Sequence, residues 1–263
     1  MKYDLATKAI LLSIAFIASS LAPGAILAEY NFNNAGAIFE DSASASGLTA
    51  TDISRGAGLA SDDGRSSGNT SEGAGSYYSL DSGIGTGENT TSASWVVAQN
   101  NGIYLEFTLT PDASQSLNLV DLRLDVGYDG DNAFRFAATS SLTGYDYGDQ
   151  LTITTENATD AGSLPNILQS NLNGMSNIPS GIDQDWGFGQ DTVVDLSSPT
   201  FSNITSAVTF RLYAFKINNA DSDDILRLDH ITINGSVIPE PSSFALLAGA
   251  LALFAVLARR KKN

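Results

Sequence analysis

The chain has 263 residues, with 29 Asp and Glu against 13 Lys and Arg, a net charge of −16 and no cysteine. An acidic surface repels nucleic acid, which excludes DNA and RNA as partners, and it favours solubility and cation binding. The lack of cysteine excludes disulfides, thiolate metal sites and a cysteine nucleophile, so stability must come mainly from core burial.

The N-terminal residues have the pattern of a signal peptide, which is predicted over 1–28. A polar start with Lys2 and Lys8 precedes an apolar run and a flank of small residues that suits signal peptidase. Cleavage after Ala28 would make Glu29 the first mature residue. The alternative is a retained transmembrane anchor, against which the small-residue flank argues.

Residues 29–236 are predicted to form one all-β domain, because their length suits one large domain better than two. The stretch 29–238 holds 27 Asp and Glu against 7 Lys and Arg, which leaves a net charge of −20. Its many Gly, Ser, Thr, Asn and Asp residues, interrupted by β-branched and aromatic runs, are typical of strands separated by turns. Strands are predicted, in chain order, at residues 30–33, 48–53, 93–98, 103–110, 121–126, 134–138, 151–155, 208–215 and 225–233.

The clearest strand signal is the alternation over residues 103–110. Leu105 and Phe107 fall on one face while Tyr104 and Glu106 fall on the other, as in a half-buried antiparallel strand. Many short strands with turn residues between them predict an all-β, two-sheet antiparallel sandwich of jelly-roll type. An N-terminal signal helix and a C-terminal transmembrane helix are expected to flank it.

Residues 54–92 are the least regular part of the domain and are rich in Gly, Ser, Asp and Asn. With few large apolar side chains to bury, they are predicted to form long loops around one short strand near Tyr77 and Tyr78.

The tail, residues 237–263, combines Pro239-Glu240-Pro241, an apolar run over 243–258 and a basic end. The run is slightly short for a bilayer core, which needs roughly 17–25 residues, but flanking basic side chains can snorkel to the headgroups. The positive-inside rule places the basic end in the cytoplasm and the domain on the far side of the membrane. The basic end consists of Arg259, Arg260, Lys261 and Lys262.

This tripartite tail resembles the PEP-CTERM sorting signal of Gram-negative bacteria. The resemblance implies processing by exosortase, a membrane-embedded enzyme, and transfer from a transient membrane anchor to the cell surface or extracellular matrix. It makes Pro239-Glu240-Pro241 the recognised motif and the four cations the stop. The alternative is an ordinary C-terminal membrane anchor whose Pro-Glu-Pro is incidental.

The last two predicted strands resemble those that end galactose-binding-like and carbohydrate-binding-module-like jelly rolls. Such domains often begin and end with adjacent strands, which would pair the segment near Tyr30 with that near Ile231. The resemblance further implies a structural calcium between the first and last strands, for which Glu29 and Asp229 are the matching positions.

Two acid-rich turns are further candidates for calcium, because carboxylate oxygens are the ligands this chain supplies. Asp129 and Asp131 lie in one turn, and Asp221 and Asp223 lie in the other. Neither turn has the spacing of an EF-hand loop. Solvated turn acids are the alternative for both clusters.

No catalytic site is predicted. The single histidine, His230, follows Asp229 in a strand, no Gly-x-Ser-x-Gly elbow is present, and carboxylates are too numerous for any pair to stand out. Trp186, in a Gly-flanked polar loop, is a candidate stacking platform for a sugar ring, with a local hydrophobic plug as the alternative.

Three functions remain open from the sequence. The favoured one is a non-enzymatic exported protein that associates with envelope or extracellular polysaccharide, by binding it or by being built into it. The others are a carbohydrate-active hydrolase or lyase on the same fold and a purely structural or adhesion component. The fold alone does not choose among them, since sandwiches host all three roles.

Overall fold

The computed structural model describes residues 24–32, 43–58, 64–70, 73–80, 91–129, 134–154, 159–160, 168–169, 189–216, 225–240 and 249. Within them the strands form two sheets in which every pairing is antiparallel. One sheet, called sheet A, contains β1 (Ala25–Tyr30), β2 (Ala43–Ser44), β5 (Gly64–Thr70), β6 (Gly73–Leu80), β8 (Gln115–Asp129), β10 (Ile153–Thr154), β13 (Gly189–Asp195) and β15 (Ile225–Pro239). The other, sheet B, contains β3 (Leu48–Ala50), β4 (Ser54–Arg55), β7 (Tyr104–Pro111), β9 (Phe134–Ser140), β11 (Thr159–Asp160), β12 (Leu168–Gln169) and β14 (Val208–Lys216).

The strand order places the longest strands at the centre of each sheet. Sheet A runs β10-β13-β8-β15-β1-β2, and the β5–β6 hairpin joins it where β6 pairs with β15. Sheet B runs β11-β12-β9-β14-β7-β3, and β4 pairs with another part of β7. Strand β15 therefore contacts three neighbours, β8, β1 and β6.

A single hydrophobic core fills the space between the two sheets. On β7, Leu105, Phe107 and Leu109 are buried, and Phe107 packs on Tyr30 of sheet A with ring centroids 5.3 Å apart. Each such side chain contributes about 1.5–3 kcal/mol by leaving water. The predicted two-sheet antiparallel sandwich is confirmed, as are the strands predicted at 103–110 and 208–215.

The first and last strands of the domain are neighbours, as predicted. Tyr30 pairs with Ile231, and Glu29 pairs with Thr232. Strand β1 begins at Ala25, so the predicted signal-peptide cut after Ala28 falls inside it. A cut after Ala28 would leave only Glu29 and Tyr30 of β1 paired with β15 on the exported chain. Mass spectrometry of the N-terminal peptide of the exported chain tests where the cut falls.

The strand predicted at 93–98 is wrong, because these residues lie in the helix α1 (Thr91–Asn101). The adjacent valines favour a strand locally, but α1 packs against β14 and ends in a complete C-terminal cap. Gly102 adopts a positive φ of 69° and donates its N–H to the Gln99 carbonyl at 3.2 Å. The N–H of Ile103 donates to the Ala98 carbonyl at 2.8 Å, which completes a Schellman motif.

The cap predicts a large effect for Gly102→Ala. Alanine at position 102 would have to adopt a left-handed backbone conformation, and its Cβ would lie 2.9 Å from the Ala57 nitrogen. We therefore expect the free energy of unfolding to fall by about 1–3 kcal/mol. Gly148→Ala is the control, because Gly148 has φ 111° but no atom within 4 Å of the added Cβ. Since φ 111° is more strained for alanine than φ 69°, the control gives an upper limit for the backbone cost. A loss of only about 1 kcal/mol for Gly102→Ala in urea denaturation would mean that the contact with Ala57 adds nothing.

The loop prediction for residues 54–92 is also wrong in part. Besides a strand at Tyr77 and Tyr78, the region contains β4 and β5, and β5 pairs with β6 over the full length of β5. These strands are rich in Gly and Ser, so they carry little apolar signal. Their hydrogen-bonded ladder and the pairing of Leu80 with Leu226 of β15 provide the order instead.

Apart from the single helical residue Gly249, the two expected terminal helices, the signal helix and the transmembrane helix, lie outside the described residues. Among the residues that are described, no helix has the length and apolar character needed to cross a membrane.

Candidate functional site

The end of β15 joins the folded domain directly to the sorting tail. Val237 pairs with Leu117 and Pro239 pairs with Gln115 of β8. Beyond the strand, the Glu240 N–H donates to the Ser114 carbonyl at 2.8 Å. The first two residues of Pro-Glu-Pro are therefore fixed to the domain, and no free linker precedes them.

Proline fits this strand end because of the alternation of the ladder. Backbone groups of successive residues in an antiparallel strand point to opposite sides. Since Glu240 donates toward β8, the polar groups of position 239 point away from β8. The missing N–H of Pro239 therefore costs no ladder hydrogen bond.

A β-bulge lies at the middle of β15, on the outer face of sheet A. Asp229 pairs with Asp125 and Thr232 pairs with Arg123, so β15 has one residue more than β8 over this stretch. His230 in the bulge has a φ of +47°, a left-handed conformation that is uncommon for residues other than glycine. Such strain persists where surrounding structure holds it in place, and it clusters at functional sites.

The bulge opens onto a groove of about 560 Å³ on the outer face of sheet A. We call it the β15 groove. Its sides are formed by β1, β8 and β15. It is lined by Gly24, Ile26, Val120, Asp121, Arg123, His230, Thr232 and Asn234.

The polar side chains of the β15 groove are held by one another. Arg123 donates from Nε to Asp121 Oδ1 at 3.2 Å and from Nη2 to Asp121 Oδ2 at 3.1 Å. Asn234 Nδ2 donates to the same Oδ1 at 2.7 Å. At the bulge, His230 Nε2 lies 3.5 Å from Glu29 Oε1. Because these groups are oriented before any ligand arrives, the groove is a preorganised set of donors and acceptors.

Two aliphatic side chains border these polar groups. Ile26 is 50% exposed and Val120 is 42% exposed, so both present apolar surface to the groove. Apolar walls around a few convergent polar groups are the ordinary composition of a small-molecule site.

A second polar cluster lies on the outer face of sheet B and is built around Arg211. Its Cζ lies 4.3 Å from the ring centre of Tyr104 and 4.0 Å from that of Tyr145, and its Nε donates to Glu106 Oε2 at 2.6 Å. Burial lowers the pKa of Arg211, but hydrogen bonds to Glu106 and Tyr213 outweigh it and raise the pKa above its ordinary value. Arg211 is held between aromatic rings, as is typical of a structural cation–π cluster.

This cluster predicts a loss of stability in alkali. Burial raises the pKa of Tyr145 and of Tyr213 above the ordinary 10.0, so folding favours the neutral phenols. Their contribution is intact below pH 10 and is lost as the pH rises through the raised values. Urea denaturation from about pH 8 to 11 should show this loss. Tyr145→Phe should reduce it, whereas Tyr147→Phe, at an exposed loop position, should not.

The comparison with protein families decides the identity of the tail. Residues 237–262 match the family model for the PEP-CTERM protein-sorting motif. The tail is a PEP-CTERM sorting motif. It marks the chain as an exosortase-targeted exported protein with a cell-surface or extracellular destination. A comparison of the whole chain with curated proteins finds no match.

The PEP-CTERM motif begins inside the fold. Its first matched residue, Val237, is a paired residue of β15 that packs against the hydrophobic core. Pro241 and the basic residues Arg259, Arg260, Lys261 and Lys262 lie outside the described residues. The sorting signal and the domain therefore share residues 237–240.

The candidate calcium ligands are only partly covered by the structure. Glu29 lies beside His230, and the backbone of Asp229 lies opposite Asp125 rather than opposite Glu29. Asp129 pairs with Ile225 at the other end of β8. Among the described residues, no group of three or more acidic or histidine side chains could hold a metal ion. Outside the described residues lie Asp131, Asp221 and Asp223, together with the candidate stacking residue Trp186.

The sequence carries a signal for the bulge that the strand prediction at 225–233 misses. Strict alternation from the buried Leu228 would place position 230 in the core, but the next buried apolar residues are Ile231 and Ile233, so the alternation changes phase. Two successive polar residues between Leu228 and Ile231 cause this change. Such a break of phase is the pattern that a β-bulge leaves in a sequence.

Proposed function

We propose that this protein is a non-enzymatic component of the cell surface or extracellular matrix that associates with polysaccharide of the envelope or matrix. The PEP-CTERM motif, joined without a linker to a folded sandwich, is the observation that carries this proposal. Export leaves the sandwich as the part of the molecule that meets extracellular polymers.

The carboxylate in the β15 groove and the one beside it are both already paired, which supports a binding role over a catalytic one. Hydrolysis of a glycosidic bond generally needs one carboxyl group as acid and a second as base or nucleophile. Asp121 accepts hydrogen bonds from Arg123 and Asn234, and Glu29 faces His230. Such paired carboxylates are better suited to accept hydrogen bonds from ligand hydroxyl groups.

Structural calcium remains part of the proposal, with the acid-rich turns as its ligands. Oxygen donors are abundant in the domain, and a bound cation would offset part of its net charge of −20. Signal peptidase and exosortase are the expected processing enzymes, and residues 243–258 are the expected transient membrane anchor.

The test is binding of the full chain, purified in detergent, to a panel of neutral and anionic polysaccharides, with calcium and then with chelator. Saturable binding without shortening of the polymer is expected. Loss of binding or stability in chelator would support calcium. Depolymerisation would replace the proposal with a carbohydrate-active enzyme, and a folded protein that binds nothing would indicate a purely structural role.

A further inference from the structure

We infer that the β15 groove is the polysaccharide site and that it accepts a neutral sugar unit. This inference rests on the proposed function and adds to it the place of binding and the class of ligand. It is carried by the strained His230 in the bulge, the preorganised polar side chains beside it and the charge of the domain.

The bulge gives His230 a position that regular pairing would not. With one extra residue in β15, Leu228 and Ile231 both remain in the core while His230 lies on the groove. A glycine would adopt this backbone without strain. The backbone strain at His230 is therefore best explained by the contacts that its side chain can make on the outer face of sheet A.

The groups in the groove match hydroxyl-rich ligands. Asp121 offers acceptor oxygens, Asn234 carries both a donor and an acceptor, and the guanidinium N–H groups of Arg123 are on a side chain that is 47% exposed. Val120 supplies an apolar surface for the C–H groups of a sugar ring. A saccharide likewise presents hydroxyl groups beside patches of C–H groups.

The charge of the groove selects against anionic polymers. The arginine among its lining residues already pairs with Asp121, and a second carboxylate, that of Glu29, lies just outside the groove, 3.5 Å from the lining residue His230. The domain as a whole carries −20, which repels polyanions at long range. A neutral hexose polymer is repelled neither by the carboxylates at the groove nor by the net charge of the domain.

The recognition groups survive the predicted removal of the signal peptide. Of the lining residues, only Gly24 and Ile26 precede the cut predicted after Ala28. All the polar side chains and Val120 lie downstream of it. The site is therefore present on the precursor and on the exported chain.

Titration calorimetry on the full chain in detergent tests the site with dextran and a β-glucan as neutral polymers and alginate as the anionic one. His230→Gly removes the side chain at a backbone position that suits glycine, and Asn234→Ala removes the amide. Both should weaken binding of the neutral polymer at least tenfold. The control Asn203→Gly also replaces a positive-φ residue (φ 54°) and lies outside the groove, so its binding should match the wild type.

The outcomes separate this inference from the proposed function. If the wild type binds and both groove variants, shown to be folded by urea denaturation, bind equally well, the groove is not the site although the proposed function stands. Tighter binding of alginate than of the neutral polymers would overturn the ligand class. If the folded wild type binds no polysaccharide, the proposed function fails and this inference fails with it.

Discussion

A chain ending at Ser236 should be less stable than a chain ending at Glu240 by about 2–4 kcal/mol. The four residues between these ends include Val237, which packs on the core, and they complete the pairing of β15 with Gln115 and its neighbours. Burial of one aliphatic side chain and two or three ladder hydrogen bonds account for a loss of this size. Urea denaturation of the two truncated chains measures this difference in the free energy of unfolding.

The comparison isolates the part of the sorting motif that belongs to the fold. Removal of everything after Glu240 should leave the free energy of unfolding close to that of the full chain. Val237→Ala in the longer chain separates packing from pairing and should cost about 1 kcal/mol. Equal stability of the two truncated chains would show that the domain ends before the motif begins.

Local alternation was sufficient to predict much of the sandwich. The strand predicted at 103–110 matches β7, and that at 208–215 matches β14, each within one residue. In both, one face is buried and the other is polar, so the period of two is visible without any tertiary information. The pairing of Tyr30 with Ile231 followed from the resemblance to jelly rolls rather than from local pattern.

The elements that were mispredicted depend on partners distant in sequence. Taken alone, the Trp-Val-Val run of α1 favours a strand, but Gly102 provides a helix cap and β14 provides a packing surface. The β5–β6 hairpin has few apolar residues, and β6 pairs with β15, about 150 residues further along the chain. In each case tertiary context overrides local propensity.

The sorting motif and the β15 groove also differ in how far the sequence alone predicts them. The PEP-CTERM motif is linear, so order and composition at residues 237–262 were enough to predict it. The β15 groove combines Asp121 and Arg123 of β8 with Asn234 of β15, residues that are more than 100 positions apart. Only the register of β8 against β15 brings them together.

Replacement of Pro239-Glu240-Pro241 by three alanines should reduce processing of the exported protein at least tenfold. Proline fixes its own backbone angle and favours an extended residue before it, and Glu240 is exposed. Three alanines would remove both the backbone preference and the carboxylate that a sorting enzyme could recognise. The fold should persist, because the N–H gained at position 239 would point away from β8 and position 240 would keep its bond to Ser114. Mass spectrometry of the surface and membrane fractions would then find the variant anchored, with its C-terminus intact.

The matched control replaces Ser242 and Ser243, the residues directly after the motif, by alanine. These changes leave the prolines, the apolar run and the basic end in place, so processing should match the wild type. A triple-alanine variant that is processed at the normal rate would show that the anchor and its basic end are sufficient. In that case the attachment of Pro239 and Glu240 to β8 would serve the stability of the domain alone.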